Sequence, residues 1–175
     1  MLWLPPALPD QRTAIRRAGP RDAAAMASVH VMSWQATYRG QIGDAYLDGL
    51  TVPAFDRHWR HIFAARGWAF VATVDDRVVG VASGGKCRRR NLAEGEVYVL
   101  YLDPVYKGLG LGRALFDACH YELARRGHAD CLVWVLGTNA DARGFYERLG
   151  GDLVAEGEIV LGGERLREVG YRWPA

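Results

Sequence analysis

The run Lys107-Gly108-Leu109-Gly110-Leu111-Gly112-Arg113 sets three glycines on alternate positions between two cations. An apolar segment ending at Asp103-Pro104 leads into it, and another beginning at Ala114-Leu115 leads away. Glycine backbones can turn successive N–H groups into one concavity, and a helix starting there adds partial positive charge, so the main chain alone can hold a phosphate or pyrophosphate. Lys107 and Arg113 add side-chain charge. Two other phosphate-binding turns fail on spacing. A P-loop closes on Gly-Lys-Ser/Thr, which the chain lacks. A G-x-G-x-x-G turn begun at Gly108 needs glycine where Arg113 stands, and begun at Gly110 needs it where Leu115 stands.

What remains, Lys107-x-x-Gly110-x-Gly112, resembles the Q/R-x-x-G-x-G/A motif of the GNAT superfamily, the acyl-CoA-dependent N-acyltransferases, with lysine in place of Gln or Arg. Two flanking segments agree with it. Glu96-Val97-Tyr98-Val99-Leu100-Tyr101-Leu102-Asp103-Pro104 is similar to that family's fourth strand and its exit turn. The stretch from Leu132-Val133-Trp134-Val135-Leu136 through Asn139 to Phe145-Tyr146-Glu147-Arg148-Leu149-Gly150 is similar to its next strand, Asn and helix. The resemblance covers residues 70–173 well and the first third loosely. It implies an α/β (α+β) GNAT fold: a mixed, mostly antiparallel sheet with helices on both faces and a splayed central strand. It also implies acetyl-CoA (coenzyme A) as cosubstrate, a primary amine of a small molecule or peptide as acceptor, and direct transfer in a ternary complex with no metal.

Acyl transfer from a thioester to an amine needs a held acyl-CoA, a deprotonated amine, donors for the developing oxyanion and a proton for the leaving thiolate. By resemblance, the backbone of Leu100, Tyr101 and Leu102 serves the pantetheine amides and the thioester carbonyl. Lys107 with Gly108, Leu109, Gly110, Leu111, Gly112 and Arg113 takes the pyrophosphate, and Asn139 adds a hydrogen bond to the cofactor. Tyr146 is the matching proton donor to the thiolate. It lies two helical turns from Asn139, so the helix cap and the phenol share one face. Glu96, at the entry of the splayed strand, is the general-base candidate, with Glu94 competing. The segment joining the first two helices borders the acceptor groove in this fold, which brings Trp34, Tyr38, Asp44, Asp48 and Trp59 toward it; aromatic and acidic groups together suit a cationic amine. A catalytically silent acyl-CoA-binding sensor or partner-binding module of the same fold is the alternative.

The elements that must position these groups follow from patterning. A strand over 13–18 precedes a helix over 22–38 capped by Asp22, then a helical region over 43–66 whose later part starts near Pro53. Strands over 68–75 and 77–86 meet at Asp75-Asp76 as a hairpin, followed by a strand over 95–102 and a helix over 110–126 ending before Gly127. A strand over 131–136, a helix over 140–149 and strands over 153–161 and 165–173 joined at Gly162-Gly163 complete the order. Hairpins together with a β-α-β crossover give the mixed sheet.

The chain has 175 residues, 50% hydrophobic and 24% charged, which suits a single domain over 1–175, with 1–12 expected as a flexible N-terminus. A net charge of +2 gives no case for nucleic acid, and Arg88-Arg89-Arg90 reads as a solvated hairpin tip, a contact with the CoA phosphates being the alternative. Cys87, Cys119 and Cys131 contain no C-x-x-C pair and suggest neither a disulfide scaffold nor a zinc site. His58 and His61 lack companion ligands. The apolar start is short and broken by prolines, unlike a signal peptide, and no run is long enough for a bilayer, so no membrane partner and a cytoplasmic location are expected, with a homodimer open.

Overall fold

The computed structural model describes residues 12–89 and 91–174; the expected flexible N-terminus, apart from Arg12, and Arg90 lie outside the described residues. In chain order the elements are β1 (Thr13–Arg17), α1 (Ala23–Tyr38), α2 (Asp44–Asp48), α3 (Val52–Ala64), β2 (Ala69–Val74), β3 (Arg77–Lys86), β4 (Gly95–Leu102), α4 (Leu111–Arg125), β5 (Asp130–Leu136), α5 (Ala140–Arg148), β6 (Asp152–Leu161) and β7 (Glu164–Pro174). The helical region over 43–66 is two helices, interrupted at Gly49-Leu50-Thr51, with Pro53 in the first turn of α3, where its missing N–H costs nothing.

One seven-stranded sheet runs β1-β2-β3-β4-β5-β7-β6, and every neighbouring pair is antiparallel except β4 with β5. The two hairpin turns foreseen between β2 and β3 and between β6 and β7 have the required left-handed backbones: φ is 47° and 64° at Asp75 and Asp76, and 58° and 85° at Gly162 and Gly163. Asp75 also accepts the Arg12 N–H at 3.1 Å, which ties the start of β1 to that turn.

Helices cover both faces. On one, Met26 and Ala27 of α1 and Trp59 of α3 pack on Val71 and Val81; on the other, Leu115 and Cys119 of α4 and Tyr146 of α5 pack on Ala82, Val97 and Val133. Fully burying a side chain of this size contributes about 1.5–3 kcal/mol, so the two clusters fix the sheet between two helical layers.

The feature that makes room for a site is β4. It pairs with β5 only at Gly95, Glu96 and Val97, opposite Cys131, Leu132 and Val133. Beyond that both strands continue, to Leu102 and Leu136, without pairing to each other. On its other edge, the register with β3 shifts between Val99, opposite Ser83, and Val97, opposite Gly84, so Tyr98 is the extra residue of a bulge. The bulge resets the alternation of side chains: Val97, Leu100 and Leu102 join the α4 cluster, whereas Val99 and Tyr101 face α1 and α3.

Candidate active site

The gap between the splayed strands opens into a cavity of about 130 Å³ that passes through the sheet. Its walls are Tyr98, Leu100, Tyr101 and Leu102 of β4 and Val133, Trp134 and Val135 of β5; Ser33, Thr37 and Tyr38 of α1 close one face, and Asn139, Ala142 and Tyr146 the other. Strand edges that diverge leave backbone N–H and C=O groups facing the gap without a ladder partner, which is what an amide-bearing chain lying between them would use.

Tyr146 is 5% exposed, and burial pushes its phenol well above the ordinary tyrosine value, so it stays protonated through the neutral range. Asn139 caps α5, its side chain accepting the Ala142 N–H at 3.1 Å, and Tyr38, whose phenol burial raises, lines the same cavity from α1. Tyr101 points the other way, toward His30 at 4.6 Å between ring centres, and burial raises it too. His30 is pushed down to about 3 by burial, with His58 adding, and so contributes no charge to this wall. Ser33, which the sequence reading did not single out, donates to the Leu102 carbonyl at 3.2 Å and anchors the end of the splayed strand on α1.

Leu102 also lines a second cavity, of about 470 Å³, formed by Lys107, Gly108, Gly110, Gly112 and Arg113 on one side and Ala140, Asp141, Phe145 and Arg148 on the other. This is the glycine cradle. Asp103 starts it by accepting the Val105 N–H at 3.0 Å, with Pro104 in the short turn that follows. Gly108 and Gly110 have φ of 84° and 77°, a backbone that other residues adopt at a cost, and a Cβ at either would meet nothing within 4 Å, so space is left in front of the turn. Gly110 is the N-cap of α4, which aims the free N–H groups of the first turn at this space. Leu109 is exposed and Leu111 is buried in the α4 cluster, so each can serve an anion here only through its backbone. Arg113 is exposed and has only a loose pairing with Asp117 at 3.9 Å.

At its other end the through-sheet cavity shares Trp134 with a groove of about 320 Å³ lined by Arg88, Arg89, Glu96, Ile159 and Glu168. Glu96 is 1% exposed, and both its carboxylate oxygens accept from Arg88: the backbone N–H at 2.9 Å, Nε at 2.9 Å, and Nη2. Arg89 pairs through Nη2 with buried Glu168 of β7 and lies 3.9 Å over the Trp134 ring; Arg88 lies 4.6 Å over Tyr98. The expectation of a solvated hairpin tip is therefore corrected for Arg88 and Arg89, since burial of two carboxylates beneath them demands a paired cation for each. Neither lines the glycine cradle.

Four further expectations are revised. Asp44 and Asp48, taken as acceptor ligands, instead hold Arg39, at 3.1 Å and 2.9 Å, on the exposed side of α2, and line none of these three cavities. Trp34 lies behind Tyr38 and Tyr101, at ring distances of 5.2 Å and 6.2 Å, while Tyr38 alone of the five acceptor candidates reaches the cavity wall. Trp59 is fully buried in the α1–α3 core. Glu94 accepts the Ala129 N–H at 2.7 Å and ties the entry of β4 to that of β5, away from the gap.

The match to a model of the acetyltransferase (GNAT) family spans residues 26–151, which takes in the splay, the cradle and α5. The chain belongs to this family and is an acyltransferase. The acetyltransferase is 34% identical over 164 residues to the uncharacterized N-acetyltransferase YuaI of Bacillus subtilis (strain 168), the match covering 91% of this chain and 92% of that one. It is also 50% identical over 58 residues to the mycothiol acetyltransferase of Geodermatophilus obscurus, but there spans 33% of this chain and only 19% of the other. Among solved structures, a GCN5-related N-acetyltransferase from Rhodopseudomonas palustris superposes with a TM-score of 0.73 at 22% identity, covering 93% of this chain and 95% of that one. The PaiA N-acetyltransferase of Thermoplasma acidophilum in complex with coenzyme A gives 0.70 at 18% identity, over 90% and 98% of the chains. For yncA of Salmonella typhimurium with its cofactor acetyl-CoA the values are 0.68 and 20%, over 93% of each chain. Identities this low establish the shared fold. Among the described residues no helix is long and apolar enough to cross a membrane, and no three His, Cys, Asp or Glu side chains are grouped to hold a metal.

Proposed function

We propose that this acyltransferase moves an acetyl group from acetyl-CoA to a primary amine by direct transfer in a ternary complex. The observation that carries the reading is continuity: the glycine cradle, the cavity through the sheet and the arginine-lined groove share Leu102 and Trp134 and so form one path. The solved relatives holding coenzyme A and acetyl-CoA support the choice of cosubstrate. Fit supports it too, since the cradle keeps open space before two left-handed glycines, Lys107 and Arg113 flank it, and a narrow gap with free strand edges leads inward.

Bound there, acetyl-CoA would supply an activated thioester. Each step otherwise falls to the chain. The first turn of α4 with Lys107 and Arg113 holds the pyrophosphate, and the free edge of β4 at Leu100, Tyr101 and Leu102 orients the pantetheine arm and the carbonyl. Asn139 fixes the start of α5 so that the Tyr146 phenol, protonated at neutral pH, can donate a proton to the departing sulfur. Glu96, the carboxylate at the mouth of the splay, receives the amine proton by way of water in the groove, and Arg88 sets its orientation. The test is CoA release from acetyl-CoA across a panel of primary amines. Turnover with at least one amine supports the reading; tight CoA binding with no release from any would instead support an acyl-CoA-binding module.

A further inference from the structure

The acceptor end of the path carries a charge pattern opposite to the one expected of Asp44 and Asp48. In the groove beside Trp134, the carboxylates of Glu96 and Glu168 are 1% and 6% exposed, while the side chains above them, Arg88 and Arg89, are 62% and 38% exposed. A molecule entering the groove therefore meets guanidinium edges, and the carboxylates lie beneath as fixed counterions.

Both guanidinium groups are held. Arg89 is clamped between Glu168 and the face of Trp134, and a methyl group added at Gly157 of β6 would overlap its Nη1, so the glycine makes the space this side chain fills. Arg88 is fixed by three contacts to Glu96 and by the Tyr98 ring. A guanidinium has five N–H donors, and neither pairing uses them all, on two side chains that both line the groove. Holding the fork rigid in advance lowers the ordering cost of gripping a planar or tetrahedral anion.

From this we infer that the acceptor is an acidic amine, a primary amine bearing a carboxylate or a phosphonate, whose anionic group sits on Arg88 and Arg89 while its nitrogen points into the splay beside Glu96. The inference rests on the proposed acetyl transfer for its chemistry, but on the groove alone for its ligand class. Amines without an anionic group gain nothing from these guanidinium edges.

The experiment compares matched pairs with and without the anion: L-phenylalanine against 2-phenylethylamine, L-methionine against 3-(methylthio)propylamine, and 2-aminoethylphosphonate against ethylamine. Both CoA release and calorimetric binding to the CoA complex are measured. The wild type is expected to favour an acidic member by about 10- to 100-fold in kcat/KM, the scale of one or two charge-assisted hydrogen bonds. The carboxylate and phosphonate arms separate the two anion types. Replacing Arg89→Gln together with Glu168→Gln, which strands no buried charge, should erase most of that preference by raising the acceptor KM while leaving the acetyl-CoA KM unchanged. Gly157→Ala, which displaces the Arg89 tip without altering charge, should act in the same direction, and Asp44→Asn should not. If no amine turns over but acidic amines bind the wild-type complex and not the double variant, the ligand class stands and the proposed transfer falls. Preference for the uncharged partners, an undiminished preference in both folded variants, or no binding and no turnover of any acidic amine would overturn the inference.

Discussion

Replacing Gly110 with alanine isolates what the cradle owes to backbone geometry. Gly110 has φ 77° and ψ −3°, and a Cβ there would meet no atom within 4 Å, so the substitution introduces no collision. Its whole cost is the left-handed backbone, about 1–2 kcal/mol for a residue with a side chain. Residues 108–110 are exposed, so the free loop can relax into another conformation, and the penalty is then met only when an anion requires the turn. At 1.4 kcal/mol per tenfold, this predicts CoA binding weaker by about 5- to 30-fold, with only a small change in Tm. Gly112→Ala is the control. It lies in the first turn of α4, its Cβ would make ordinary contact with the Phe145 ring at 3.5 Å, and alanine is favoured over glycine in a helix by about 1 kcal/mol. Its Tm should not fall. Titration calorimetry with CoA and thermal unfolding read both quantities. A Gly110→Ala protein that binds CoA within twofold of the parent would refute the claim that this turn holds the anion.

Tyr146→Phe should lower kcat by about 10²- to 10⁴-fold with CoA affinity nearly intact, the usual contribution of a general acid; because burial raises this phenol, the pH profile near neutrality should not show its ionisation, and a kcat within twofold of wild type would reduce it to packing. Glu96→Gln should lower kcat/KM by about 10²- to 10⁴-fold with CoA affinity nearly intact, and a value within twofold of wild type in a folded variant would exclude Glu96 as the base. Burial opposes ionisation of Glu122, but hydrogen bonds from Arg125, Arg126 and Arg17 outweigh it and hold the carboxyl at about 2, below its ordinary 4.5. A depressed carboxylate stabilises above its unfolded value and loses that effect as pH falls through the folded one. Glu122→Gln should thus lower stability at neutral pH by about 1–2 kcal/mol, discounted because the three arginines are 38–57% exposed, and the gap in Tm should close between about pH 4.5 and 2. A gap independent of pH would refute it.

Much of the molecule is determined by neighbours in sequence. Gly110 can adopt a left-handed backbone at the start of a helix at little cost, Asp75-Asp76 and Gly162-Gly163 favour tight hairpin turns, and Pro53 and Gly127 mark helix ends. Such preferences act over a few residues, which is why the strands and helices could be read within a residue or two, except for the break between α2 and α3, and why three spaced motifs were enough to suggest the family. Gly151 is a smaller case of the opposite kind: the Trp173 ring occupies the space that a side chain at 151 would need.

What required the tertiary structure is whatever depends on charge pairing and on strands distant in sequence. Nothing local to Arg89 announces that Glu168, 79 residues later, will be buried beneath it, and nothing local to Asp44 shows that Arg39 will occupy both it and Asp48. A carboxylate has the same composition exposed or buried; desolvation gives it an obligate partner, and only the packed sheet decides which carboxylates are desolvated. The bulge at Tyr98 is of the same kind, since an extra residue in one strand exists only relative to its partner's register. The sequence alone therefore specified the glycine turn, whose physics is backbone conformation, whereas the charge pattern of the groove beside Trp134 was decided by long-range burial.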